Sequence, residues 1–351
     1  MAIKLVLPIL LLIFASTTTI NIPTTTKIAT GAVSNVGDGF DFIVVIVMEN
    51  QGINGTYGSQ CGANCSYVTS LANTYGIELN YSSVAHPSLA NYLTLTSGGN
   101  YSYQPFLGDC SPLSVACTLP VQNVVDRIES SGRTWRAYME DYTGGGCSMT
   151  STQSTYANDH NPFVYYQDIR NNTGRCRNIV WANPNSGSGY LSQPTQLFND
   201  LNSTNPPNFM WLGPNLCNDG HETCTPLNNT VLQSNNYLKQ VVPRILDSIT
   251  FLSVKNNAVL FITWDEGNIG CHVPGQTYPT CIDRVPAIWA GKNISPGSRS
   301  NQKHSHYSFP ATLEAFWNLR PLTRFDSNGN PMTELFITTP TVAGGRRLLE
   351  V

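Results

Sequence analysis

Two uninterrupted apolar runs, each closing on a pair of polar residues able to bind metal, constrain this fold more than any other feature. Residues 42–48 lead into Glu49 and Asn50, and residues 259–264 lead into Asp265 and Glu266. Short apolar runs rich in β-branched residues and bounded by turn signals read as strands buried in a parallel or mixed sheet. Ligands of open α/β sheets bind beyond the carboxyl ends of the strands, so both polar pairs are expected on the functional edge. One such pair alone is commonly a solvated loop. Two pairs on similar strands bring three carboxyl groups and an amide together, where they repel unless a cation neutralises them. Hard oxygen donors suit a divalent metal, with Glu49, Asn50, Asp265 and Glu266 as the expected ligands.

The 351 residues fit one α/β domain with a single core. Lys4 precedes an apolar stretch over residues 5–15, too short for a membrane span and suited to a signal-peptide core. The expected organisation is a signal peptide or N-terminal anchor over 1–25, a flexible leader over 26–38, a catalytic domain over 39–338 and a tail over 339–351. Export would place the chain outside the cell or on its surface, attached to a membrane only through an uncleaved anchor. It would also permit disulfides among the ten cysteines. Pairing each with its neighbour gives Cys61 with Cys65, Cys110 with Cys117, Cys147 with Cys176, Cys217 with Cys224 and Cys271 with Cys281. A zinc reading fits poorly, because the tight double Cys-x2-Cys spacing is missing. Eight Asn-x-Ser/Thr sequons suit a glycosylated surface. A charged fraction of 12% and a net charge of −3 leave no basic footprint for nucleic acid.

Apolar periodicity predicts helices over 88–96, 120–130, 237–252 and 308–318, and strands over 42–48, 134–139, 208–212, 259–264 and 285–290. Strands alternating with helices imply a sheet covered on both faces. All six histidines, His86, His160, His221, His272, His304 and His306, sit in polar, Gly/Pro/Asn-rich surroundings rather than inside apolar runs. Such positions suit site duty, although a single histidine is as readily a hydrogen-bonded structural residue. Ser88 stands at a helix start, where free backbone N–H groups and the helix dipole favour phosphate and an alkoxide nucleophile. Taken alone it serves equally well as an N-cap. Gly144, Gly145 and Gly146 lack the Lys-Ser/Thr of a phosphate-binding loop and read as a turn.

Six segments, in order, carry a resemblance: Val-Met-Glu-Asn at 47–50, His-Pro-Ser-Leu-Ala-Asn-Tyr at 86–92, His-Asn-Pro-Phe at 160–163, Pro-Asn-Leu-Cys-Asn-Asp-Gly-His at 214–221, Trp-Asp-Glu-Gly at 264–267 and His-Tyr-Ser-Phe at 306–309. Together they resemble the phosphoesterase family of acid phosphatases and phospholipases C, within the alkaline phosphatase superfamily. The resemblance implies an α/β fold, a three-layer α/β/α sandwich with a mostly parallel mixed central sheet, and a metal-assisted covalent mechanism. It implies Glu49, Asn50, Asp265 and Glu266 as ligands of one divalent cation, joined by Ser88 as nucleophile. Asn91, His160 and His221 are implied around the phosphate. The segment Gly-Asn-Ile-Gly-Cys-His at 267–272 departs from the phospholipase pattern and leaves His272 without an assigned role. His306 is expected to orient the site and His304 to be peripheral.

The expected function is therefore hydrolysis of a phosphate ester by an exported, metal-dependent phosphomonoesterase of acid-phosphatase type. The alternatives are phospholipase C or phosphodiesterase activity on the same fold, or a non-catalytic glycosylated surface protein. The intact ligand set argues against the last.

Overall fold

The computed structural model describes residues 39–150, 154–268 and 283–337, all within the unit Asn35–Val351. Its centre is β1 (Phe42–Met48), a seven-residue strand whose residues after Phe42 are buried. The other strands are β2 (Gly76–Glu78), β3 (Tyr81–Ser82), β4 (Trp135–Met139), β5 (Ile179–Trp181), β6 (Phe209–Gly213), β7 (Ala258–Trp264), β8 (Ala287–Ala290), β9 (Ser298–Ser300) and β10 (His304–Ser305). Eight of them form one sheet in the order β5-β4-β6-β1-β7-β8-β2-β9, and β10 pairs with β3 separately. Strand β8 runs antiparallel to β7 and β2, and the remaining pairings in the large sheet are parallel.

This is the α/β arrangement expected from the sequence, a mixed sheet with helices on both sides. Because β1 lies between β6 and β7, a chain leaving its carboxyl end meets chains leaving both neighbours. Helix Leu89–Ser97 is buried along its whole length and ends at Gly98, whose φ of +64° suits glycine. A Cβ there would lie 2.5 Å from Asp326 Oδ2.

Helix Thr230–Leu246 departs from expectation, beginning at Thr230 rather than Tyr237 and giving way to a separate turn of helix, Ile249–Leu252. Its first turns are polar yet buried, because Gln233, Ser234 and Asn235 bind backbone rather than water. Asn235 Oδ1 accepts from the amides of Tyr67 and Val68 at 2.8 and 3.2 Å and so caps the start of helix Ser66–Thr74. The helix expected over 120–130 begins at Val124, where Asn123 and Asp126 form a capping box. No helix of the described residues is long and apolar enough to cross a membrane.

Four of the expected disulfides are present, joining Cys61 to Cys65, Cys110 to Cys117, Cys147 to Cys176 and Cys217 to Cys224. The fifth pair, Cys271 with Cys281, lies outside the described residues, as do His272 and the proposed signal, leader and tail segments.

Candidate active site

Glu49 and Asn50 leave β1 just where Asp265 and Glu266 leave β7, since Met48 and Trp264 are register partners. Asn50 turns the chain sharply, with φ +52°, a conformation its short polar side chain tolerates. That turn aims its amide at Asp265 Oδ1, 3.2 Å away. Its side-chain Nδ2 donates to Glu49 Oε2 at 3.2 Å. From the opposite direction, Asp265 N–H reaches Met48 O at 2.9 Å.

Ser88 sits at the N-cap of helix Leu89–Ser97, but its side chain makes no capping bond. The hydroxyl instead donates to Glu49 Oε2 at 3.1 Å. The capping task falls to Asp109, whose Oδ1 accepts from Leu89 N–H at 2.9 Å. The amide expected to be free for phosphate is thus already used.

Asn91 also differs from its expected part. Its Oδ1 accepts from the amides of Val84 and Ala85, and its Nδ2 donates to Ala85 O and to Glu266 Oε2. The amide thus secures the turn before Ser88 and one carboxylate, with its hydrogens already engaged. Glu266 has both carboxylate oxygens engaged. Its Oε1 receives a bond from His86 Nδ1 at 2.9 Å, and His86 Nε2 reaches Asp283 at 2.7 Å. Burial opposes a charge on His86, but Asp283 and then Glu266 outweigh it and raise the ring to about 10. His86 is therefore an imidazolium clamped between two carboxylates.

The other wall comes from the loops after β4 and β6. His160 Nδ1 lies 3.2 Å from Asp219 Oδ2 and its Nε2 lies 3.3 Å from Glu49 Oε1. Its ring stacks on Tyr92 with centroids 5.3 Å apart and planes 8° apart. His221 is exposed, and its ring centroid lies 5.5 Å from that of His160. The loop carrying it is closed by the bridge between Cys217 and Cys224, and Asp219 Oδ1 accepts from His221 N–H at 2.8 Å. His306 donates through Nε2 to Asp265 O at 2.5 Å, and Tyr81 O–H meets its Nδ1 at 3.0 Å. Burial lowers His306 to about 4, so the ring is neutral.

The carboxylates carry the electrostatic signature of the site. Burial, then Asp265, raises Glu49 well above the usual range. Asp265 is also raised by burial, with His160, the Asn50 amide and the Ser88 hydroxyl opposing. Glu266 is pushed up to about 8, by burial and then by Asp265. Asp265 Oδ2 is buried with no hydrogen-bond partner. Such a set of buried, crowded oxygen donors fits a divalent cation. A tighter group of candidate ligand atoms lies beside it: one atom each from Glu49, His160 and His221, all within 4.8 Å of one another.

Two residues at the centre were not singled out in the sequence. Tyr92 donates to Glu49 Oε1 at 2.6 Å; its spacing of four from Ser88, one helical turn, was the available signal. Asp219, which holds His160, lies two residues before His221. Glu140, also unflagged, anchors that loop, accepting from Asn215 N–H, Asn218 Nδ2 and Tyr237 O–H.

The family model described as Phosphoesterase family matches residues 62–320. A probable acid phosphatase of Kluyveromyces lactis is 27% identical over 304 residues, covering 84% of this chain and 62% of that protein. A phosphate-repressible acid phosphatase of Penicillium chrysogenum is 28% identical, covering 85% of this chain and 64% of its own. The chain thus spans less than two thirds of these two fungal relatives. A phosphatidylinositol-3-phosphatase of Mycobacterium tuberculosis is 25% identical, with 87% and 88% covered. Among solved structures, an alkaline phosphatase superfamily protein of Vibrio parahaemolyticus superposes with a TM-score of 0.54 at 15% identity, covering 82% of this chain and 69% of that one.

Proposed function

The chain belongs to the phosphoesterase family, and from that premise we propose that it is a metal-dependent hydrolase of phosphoric monoesters acting through a covalent phosphoserine at Ser88. The observation that carries the reading is the Ser88 hydroxyl, released from capping and bonded instead to a buried carboxylate. Glu49, Asn50, Asp265 and Glu266, with Ser88, are the residues that would hold the cation, and the partnerless Asp265 Oδ2 supports that fit. A bound divalent ion supplies positive charge that favours the serine alkoxide and offsets charge on the phosphoryl oxygens.

Ser88 Oγ attacks phosphorus as its proton passes to Glu49, and the ester P–O bond breaks. The departing oxygen takes a proton from His221, whose side chain is exposed to solvent. Water then attacks phosphorus as one of its protons passes to His221, the Oγ–P bond breaks, Ser88 Oγ takes its proton back from Glu49, and inorganic phosphate leaves. His160, held by Asp219 and stacked on Tyr92, faces the phosphoryl group as a fixed positive partner. Burial opposes its charge, but Glu49 and then the Asp219 contact raise its pKa well above the ordinary value. Export is supported by the N-terminal apolar stretch, the sequons and four disulfides.

The test is the turnover of a monoester and a diester by wild-type protein and Ser88→Ala, each with and without chelator. Monoester turnover is expected to fall by about three orders of magnitude in Ser88→Ala, since nucleophile removal leaves only binding and electrostatic catalysis. Near-normal turnover in the variant would transfer the role to another residue, and a faster diester reaction would favour the phosphodiesterase alternative.

A further inference from the structure

A second cluster of ligating side chains uses none of the residues placed around Ser88. Glu78 ends β2, His304 begins β10, and Glu334 lies in the turn before Phe336. One ligand atom from each lies within 4.8 Å of the other two. His304 Nε2 is 2.8 Å from Glu334 Oε1 and 3.6 Å from Glu78 Oε2.

Two observations point to a ligand position between them. Glu78 is fully buried, yet neither of its carboxylate oxygens has a hydrogen-bond partner. A buried carboxylate without partners is costly, whereas Glu334 is satisfied by Ser300 Oγ and His304. Second, His304 Nδ1 lies 3.0 Å from the backbone carbonyl of Asn330. A carbonyl only accepts, so Nδ1 carries a hydrogen, and Nε2, facing both carboxylates, is the ring atom that would exchange its own proton for a metal. That outer bond is the usual orienting contact of a metal-bound histidine.

We propose that Glu78, His304 and Glu334 form a second, structural site for a divalent transition-metal ion of the zinc class. One nitrogen and two carboxylate oxygens suit such an ion better than magnesium or calcium, which favour oxygen alone. The Glu334 side chain is 21% exposed, against 0% for the other two, so the ion enters on that side and water completes its shell. Bound there, it ties three segments remote in sequence to the β2–β9 edge of the sheet.

The experiment counts zinc bound per chain by equilibrium dialysis of chelator-stripped, full-length protein, in the wild type and in an Asp265→Asn background. Glu334→Gln and Glu78→Gln are each expected to lower the count by one in both backgrounds and to abolish the zinc-dependent rise in Tm of the Asp265→Asn protein. With cobalt as probe, its visible absorption in the Asp265→Asn protein should be lost on adding either change. An unchanged count in the folded variants, or no zinc on the Asp265→Asn protein, would overturn the site and leave a proton as the group shared by the two carboxylates. Should Glu78→Gln fail to fold, Glu334→Gln decides, because its side chain is partly exposed.

Discussion

Tyr92 shows how much of the site depends on one hydroxyl. Its ring packs on His160 while its O–H donates to Glu49 Oε1, so one side chain sets both the histidine plane and the carboxylate to which the Ser88 hydroxyl is bonded. Tyr92→Phe keeps the stack and removes only the bond. A hydrogen bond to a charged group contributes about 1.5–3 kcal/mol, so kcat/KM is expected to fall roughly 10- to 100-fold with a modest drop in Tm. Steady-state kinetics and a thermal scan check this, and an unchanged rate would show that Glu49 needs no help from Tyr92. Glu49, Asp265 and Ser88 were legible because strand ends and a Pro-Ser helix start are local patterns. Tyr92 and Asp219 were not, because an apolar ring and a loop carboxylate acquire their roles only through contacts across the fold.

Among the elements, helix Ser308–Trp317 carries an instructive acidic pair. Glu314 lies against Asp326, which accepts from Thr323 N–H, Thr323 O–H, Ser327 N–H and Leu322 N–H and so is well satisfied as an anion. Burial first, and Asp326 next, push Glu314 up to about 9, so Glu314 holds the proton. The folded chain therefore binds this proton more tightly than the unfolded chain. The associated stability is fully present below the ordinary Glu value of about 4.3 and declines as pH rises through about 9. Glu314→Gln should accordingly raise Tm relative to wild type at pH 8 and change it little at pH 4; equal effects at both would contradict the shared proton. The same inversion of polarity and burial explains why helix Thr230–Leu246 was misplaced in the sequence: Gln233 spends its amide on Cys217 O and Glu222 O, a use that hydropathy cannot register. Strands β2, β3, β5, β9 and β10 escaped notice because two or three residues carry no readable period, whereas β1 and β7 were visible as continuous apolar runs.

For the molecule as a whole, the order of the sheet sets when it can exist. Strand β1 finds one partner in β6 and the other in β7, with Ile43 beside both Phe209 and Val259. A chain stopped short of Ala258 lacks the second partner, and we expect it to be protease-sensitive and without native near-ultraviolet circular dichroism; a protected, native-like fragment would contradict this. During synthesis the consequence is temporal. At about 5–20 residues per second, the roughly 200 residues separating β1 from β7 leave the ribosome over about 10 to 40 s. Throughout that interval Phe42–Met48 is a nascent apolar strand with a free edge, the kind of segment that pairs with another chain. The strand that leads into Glu49 is thus among the first made yet is paired on both edges only once β7 has been made, and yield in a cell depends on whatever shields it until then.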